Sequence, residues 1–281
     1  MVIKIIDTGF FKLDGGAMFG IVPKVIWQKT NPADDLNLCT WAMRCLLVED
    51  GNKLMLVDCG IGDKQDQKFF CHFHLHGRDS LLKSIHKAGY SPDEITDVFL
   101  THLHFDHCGG AVFYNKNSMP ELTFKNAQYW SNEAHWAWAI NANAREGNSF
   151  LKENIIQLQE SGHLNFIAPG MPLPIKNMNI IYVDGHTEKQ MLPKFHINGK
   201  TFIYIADLVP SVGHIPLPYV MGYDVRPLVT LKEKESILEE AADNNYFLIF
   251  EHDPTVECCT LKRTDKGIRL GETFKLNELI G

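Results

Sequence analysis

This 281-residue sequence predicts an α/β fold gathered around one core. Three observations predict it. Short β-rich runs alternate with amphipathic helical stretches along the chain. Apolar residues make up 45% and charged residues 22%, which supplies a sizeable core and argues against disorder. Clusters of His, Asp and Glu stand directly after several apolar runs, at the strand ends where α/β sheets carry their sites.

Taken in order, Val2–Ile6 reads as a strand. Phe10 to Leu38 is a long stretch rich in Gly, Pro and Asp, with exposed-looking aromatics at Phe10, Phe11, Phe19 and Trp27. Trp41–Val48 and Lys53–Val57 are β-rich runs joined by Glu49-Asp50-Gly51-Asn52, a hairpin signal. Asp79–Ala88 looks helical, with Leu81, Leu82 and Ile85 on one face, a cap at Asp79 or Ser80, and Gly89 as the stop. Asp97–Thr101 is a short apolar strand. Ser131 to Ser161 holds one or two helices, the first capped by Ser131 and the last ended by Gly162. Ile180–Val183 is a strand. Met191–Ile197 and Thr201–Ile205 flank Asn198-Gly199-Lys200, a strong hairpin signal. Leu231–Asp243 is a helix with Ile237, Leu238 and Ala241 on one face, and Tyr246–Phe250 and Val256–Leu261 are strands. No linker, low-complexity tract or sequence repeat interrupts the chain, so one domain over residues 1–281 is expected.

Composition narrows the function classes. Lys+Arg total 27 against Asp+Glu 34, a formal net charge of -7. An acidic chain without a basic patch repels phosphate backbones, so no nucleic-acid partner is expected. No run of 18 apolar residues occurs, so no membrane span is expected. The N-terminus lacks the features of a signal peptide. Seven scattered cysteines fit free thiols in a reducing, cytoplasmic compartment.

The chemistry lies in Thr101-His102-Leu103-His104-Phe105-Asp106-His107-Cys108-Gly109-Gly110. Three imidazoles and a carboxylate within six residues are poor core material, because each buried polar tip needs a partner. They are good ligand material. Residues two apart on an extended backbone point the same way, so His102 and His104 can reach one cation. A turn into a helix re-aims Asp106 and His107 toward a second cation. Further donors follow other strands: Asp184-Gly185-His186, Asp207, and Glu251-His252-Asp253. Five His and two carboxylates suit two divalent ions, Zn²⁺ first, with Fe or Mn as other first-row choices.

The pattern His102, His104, Asp106, His107, then His186, Asp207 and His252, resembles the metallo-β-lactamase superfamily over nearly the whole chain. Asp58-Cys59-Gly60 is similar to that family's Asp-x-Gly element. The resemblance implies a four-layer αβ/βα sandwich with two metals at one edge. It implies that His102, His104 and His186 hold one metal and Asp106, His107 and His252 the other. Asp207 would bridge them, and Asp58 would orient a ligand imidazole. It points to lactonases, organophosphate hydrolases and glyoxalase-type thioesterases rather than true β-lactamases, which commonly use a Cys. One departure is Pro210, where some lactonases place a Tyr three residues after the bridging Asp.

The expected activity is therefore hydrolysis of a lactone, ester or related bond in a small apolar-chain substrate. A hydroxide shared by two ions would attack, with Asp106 moving a proton. Phosphotriester or thioester hydrolysis, and a mononuclear iron dioxygenase acting on a sulfur substrate through His102, His104, His186 and Asp207, are the competing enzymes. A non-catalytic module would show a degraded motif. The segments Phe10–Trp27 and Pro210–Tyr223 are candidate pocket walls, with Phe19, Trp27, His214 and Tyr223 as substrate contacts. A homodimer through the aromatic N-terminal segment is a further expectation. His72, His74 and His76 read as a strand face or loop, and Cys108 as packed core rather than nucleophile. Gly60-Ile61-Gly62 lacks the third glycine of a dinucleotide loop, and no Gly-x-Ser-x-Gly elbow occurs.

Overall fold

The computed structural model describes residues 1–168 and 170–280; Pro169 and Gly281, inside the expected 1–281 span, lie outside the described residues. Among the described residues, the strands form two six-stranded sheets and a two-stranded ribbon. The chain clusters into two compact units. One comprises 1–9, 43–71 and 77–176, and the other 10–42, 72–76 and 177–281. The division falls inside the long strands Val2–Asp14 and Leu38–Asp50. No described helix is long and apolar enough to cross a membrane.

The first sheet runs in the order Val2–Asp14, Leu38–Asp50, Lys53–Val57, Asp97–Phe99, Gln128–Ser131, Leu164–Phe166. The expected hairpin is present, with Leu46 opposite Val57 and Asp50 opposite Lys53. Lys53–Val57 then pairs in parallel with Asp97–Phe99, which pairs in parallel with Gln128–Ser131. Parallel strands are covered on both faces, and this explains the uninterrupted apolar run Val98-Phe99-Leu100, all fully buried. Two helices, Glu133–Ile140 and Lys152–Glu160, follow as expected. The cap of the first is Asn132, whose side chain accepts from His135 N at 2.9 Å; Ser131 is instead the last residue of a strand.

The glycines after the His cluster answer to close packing. The Cys59 amide donates to the His107 carbonyl at 2.7 Å, and Gly110 N donates to the Gly60 carbonyl at 3.0 Å. A Cβ on Gly109 would stand 2.1 Å from the Ile61 oxygen, and one on Gly110 2.2 Å from the Cys59 oxygen. The backbone of 59–62 therefore lies directly on that of 109–110, and no side chain fits between them.

The second sheet runs in the order Gly267–Phe274, Cys258–Thr264, Phe247–Ile249, Lys200–Tyr204, Gln190–Ile197, Met178–Val183. The turn Asn198-Gly199 has φ of 50° and 76°, the left-handed pair that a tight hairpin demands. All pairings are antiparallel except Lys200–Tyr204 with Phe247–Ile249. The long helix spans Pro227–Asp243 and buries Ile237, Leu238 and Ala241. It starts four residues before the expected Leu231, because Pro227 can occupy the first helical turn, where no N–H is needed. The hairpin strand Gly267–Phe274 and the helix Leu276–Ile280 carry little apolar periodicity and were not expected.

The segment 10–38 corrects two expectations. It is not a long loop: the first strand continues to Asp14 and short helices follow at Gly15–Phe19 and Lys24–Trp27. Its aromatics are not exposed, since Phe11, Phe19 and Trp27 are buried. Phe19 stacks on Trp27 at 5.2 Å and on His214 at 4.2 Å, so these rings pack on one another and leave no face to solvent. Of the His triplet, His72 belongs to the helix Gln67–Phe73, and His76 forms a bridge with Phe10. Of the seven cysteines, Cys71 is exposed and the other six are buried.

Gly110→Ala is expected to cost about 3 kcal/mol, by forcing apart two backbones in contact. Urea unfolding midpoints measure this, and an unchanged midpoint would show that the 59–62 segment yields freely.

Candidate functional site

In the first unit the cluster begins where two parallel strands end side by side. Val57 is registered with Phe99, so Asp58 and the residues from Leu100 onward emerge together. Asp58, at φ 58°, accepts from Thr101 N at 2.8 Å and from Thr101 Oγ1 at 2.7 Å. The same carboxylate lies 3.2 Å from His107 Nδ1. That contact fixes which imidazole nitrogen faces away from Asp58, namely Nε2. His102 Nε2 stands 3.1 Å from His104 Nδ1, and the His102 and His107 rings are 3.9 Å apart. Asp106 and His107 share the four-residue helix Phe105–Cys108, with Asp106 Oδ2 3.7 Å from His107 Nε2. The chain changes from extended to helical at His104, which stands at the start of that helix.

His135 had no sequence signal. It is buried, and its Nε2 accepts from the Leu103 amide at 2.9 Å. It therefore pins the backbone between His102 and His104. Phe150 packs against both His104, at 4.7 Å, and His135, at 5.8 Å. Cys108 donates to the Leu103 carbonyl at 3.3 Å, and burial pushes its thiol up to about 12, which leaves it unsuited to nucleophilic attack.

In the second unit, parallel register again does the placing. Tyr204 is paired with Ile249, and Asp207 and His252 each stand three residues beyond. Asp207 Oδ1 lies 2.9 Å from His252 Nε2, and Oδ2 lies 3.0 Å from His186 Nε2. Both imidazoles are held from behind: His252 Nδ1 donates to the Ala42 carbonyl at 2.8 Å, and His186 Nδ1 to Asp224 Oδ1 at 2.9 Å. All four side chains are buried. Asp224 was missed in the sequence, as was Glu233, which accepts from the amides of Asp184 and Gly185 at 2.7 and 3.0 Å and so sets the backbone entering His186. Asp184 bonds Lys189 instead, and Asp253 accepts from the amides of Val212, Thr255 and Val256.

The four expected substrate contacts divide. Phe19, Trp27 and His214 are buried in the aromatic stack. His214 also has both ring nitrogens engaged: the Ser211 hydroxyl donates to Nδ1 at 2.8 Å, and Nε2 donates to the Met18 carbonyl at 2.9 Å. Burial pushes His214 down to about 3, so it stays neutral and serves as a brace rather than a pocket wall. Tyr223, 40% exposed, is the one that presents a ring to solvent.

Burial opposes charge on His186, yet the carboxylates of Asp207 and Asp224 together outweigh it and raise this imidazole to about 10. A folded-state value above the unfolded one of 6.5 gives stability that is full below pH 6.5 and lost as pH rises toward 10. Chelator-treated protein is expected to lose unfolding free energy across that window. His186→Gln should flatten the slope, and equal slopes in the two proteins would refute the charged pairing.

Comparison with known proteins bears on both units. The model of the metallo-beta-lactamase superfamily matches residues 44–118, a stretch that holds Asp58 and the 102–107 cluster. An N-acyl homoserine lactonase of Bacillus thuringiensis is 26% identical over 237 residues, covering 79% of this chain and 84% of that protein. A probable metal-dependent hydrolase from Staphylococcus aureus superposes with a TM-score of 0.87 at 24% identity, covering 97% of this chain and 96% of the other. A dizinc quorum-quenching lactonase in complex with a product superposes at 0.81 and 24% identity, covering 97% and 95%.

Proposed function

We propose that this chain, which has the metallo-β-lactamase fold and matches that superfamily's model over its His cluster, is a metal-dependent hydrolase that opens the ring of N-acyl homoserine lactones. The observation that carries the reading is the carboxylate of Asp207 held between the Nε2 atoms of His186 and His252, each imidazole fixed from behind. The lactonase relatives, which span most of the chain, support the substrate class.

The donor set fits a pair of divalent ions. Imidazoles whose far nitrogens are already committed, to Asp58, Asp224 or the Ala42 carbonyl, have a defined tautomer and a fixed aim, as metal ligands require. In the arrangement proposed, His102, His104 and His186 would hold one ion and Asp106, His107 and His252 the other. Asp207 would add its carboxylate to this donor set, and residues 1–281 would act as one domain. Zn²⁺ suits these nitrogen and carboxylate donors, and scattered, buried cysteines suit a cytoplasmic setting.

Bound there, the ions would supply Lewis acidity and lower the pKa of water. The protein supplies the rest. Asp58 and Asp224 hold their imidazoles in one orientation. The His135 bond to the Leu103 amide keeps His102 and His104 from rotating apart. Asp106 carries a proton on its carboxylate oxygen from the attacking water to the leaving alkoxide. Cleavage of the ring C–O bond yields a carboxylic acid and a hydroxyl, so atoms balance with water alone.

Metal analysis of purified protein should find two zinc per chain, and a pH-stat should record acid release from an N-acyl homoserine lactone. Asp207→Ala should abolish that release while the protein stays folded. One iron per chain with oxygen uptake would replace this reading with a dioxygenase. Asp58→Asn turns an acceptor of three bonds into a mixed donor and is expected to weaken zinc binding by about ten- to a hundredfold. Competition against a chromophoric chelator measures it.

A further inference from the structure

We propose that Lys234 is a positioning residue: its buried ammonium gathers three carbonyls of the 216–219 turn and thereby fixes the loop that delivers Asp224 to the His186 imidazole. Lys234 lies on the helix Pro227–Asp243 and is 0% exposed. Its Nζ donates to the carbonyls of Pro216 at 2.9 Å, Leu217 at 3.3 Å and Tyr219 at 2.9 Å. Three N–H donors meet three acceptors, which is the full capacity of an ammonium group.

A buried lysine is a costly way to fill space. A Met or Leu would pack at the same point without taking a charge out of water. What the charge accomplishes is visible in the loop it holds. Residues 215–226 contain no strand, and Pro216 and Pro218 have no amide to donate. The loop has other fastenings as well: Tyr219 N donates to the Pro216 carbonyl at 2.9 Å, and the Arg226 guanidinium to the Asp184 carbonyl at 2.6 Å. Gly222 N donates to the Ala17 carbonyl at 2.8 Å, Val225 N to the His186 carbonyl at 3.2 Å, and Arg226 N to the Gly185 carbonyl at 2.9 Å. Between these last fastenings and the Lys234 knot sits Asp224, buried, with its carboxylate on His186 Nδ1. Burial lowers Lys234 to about 7, and the Asp224 carboxylate acts against that fall, so the two buried charges steady each other as well as sharing a loop.

This inference rests on the reading of His186 as a metal ligand, and its test separates the two. Lys234→Met keeps the apolar stem and removes every donor. In zinc-free protein, three readouts apply: hydrogen exchange of the 216–225 amides, the downfield N–H proton of His186 by NMR, and zinc affinity by chelator competition. Expected are faster exchange in 216–225, loss of the His186 signal, and zinc binding weaker by at least about tenfold. Asp224→Asn should weaken zinc binding similarly, and the double variant should be no worse than Asp224→Asn alone. Lys234→Arg, which keeps charge and donors, should restore part of the affinity. If Lys234→Met fails to fold, Lys234→Gln, which keeps two donors without charge, is read in the same way.

A lower melting temperature with the His186 signal intact and zinc affinity within about twofold of the parent would overturn the proposal, leaving Lys234 as core. Additive losses in the double variant would also overturn it. If the unmutated chain binds no zinc, the metal reading fails, and the exchange and NMR arms still decide whether Lys234 positions Asp224.

Discussion

One buried carboxylate between two imidazoles governs the arrangement of the second unit. Three polar groups out of water are tolerable only if each is fully engaged. The surrounding elements are organised to that end. Parallel register between Lys200–Tyr204 and Phe247–Ile249 brings Asp207 and His252 out at the same level. The Ala42 carbonyl and Asp224 take the outer nitrogens. Glu233 and Arg226 hold the backbone that presents His186, Glu233 through two amides and Arg226 through the Asp184 carbonyl at 2.6 Å. Helix, loop and sheet are thus committed to the aim of a few side chains.

The first unit solves the same problem by different means. There the polar groups come from one short stretch, so the difficulty is to turn the chain sharply without losing control of direction. Asp58 ties Thr101 to His107 across the turn, and His135 ties down the middle of it. The close approach of 59–62 to Gly109-Gly110 leaves the turn no room to relax. Rigid seating of donor groups, rather than any one bond, is what both halves share.

Much of this was legible in the residues, and the reason is distance along the chain. His102 to His107 are neighbours in sequence, so spacing alone marks them as one cluster. Asp207 and His252 are readable because each follows an apolar run by a fixed step. Asp224, Glu233 and His135 are not readable in this way. Their bonds span 38, 49 and 32 residues, and a lone Asp, Glu or His on a helix or loop carries no mark of such a partner. Over the segment 10–38 local composition misleads for a related reason. Gly, Pro and Asp suggest exposed loop, but stacking among Phe19, Trp27 and His214 is a tertiary event that local composition does not encode. The strand Gly267–Phe274 was hidden because a partly exposed hairpin needs little apolar alternation.

The distribution of thiols has a practical side. Six of the seven cysteines are enclosed, and Cys71, in the helix Gln67–Phe73, faces water. A maleimide dye, a nitroxide or a mercurial added to the intact protein would therefore attach at a single known address. The chain carries a ready-made handle for spectroscopy and heavy-atom phasing, with no residue to be engineered in and none of the enclosed sulfurs disturbed.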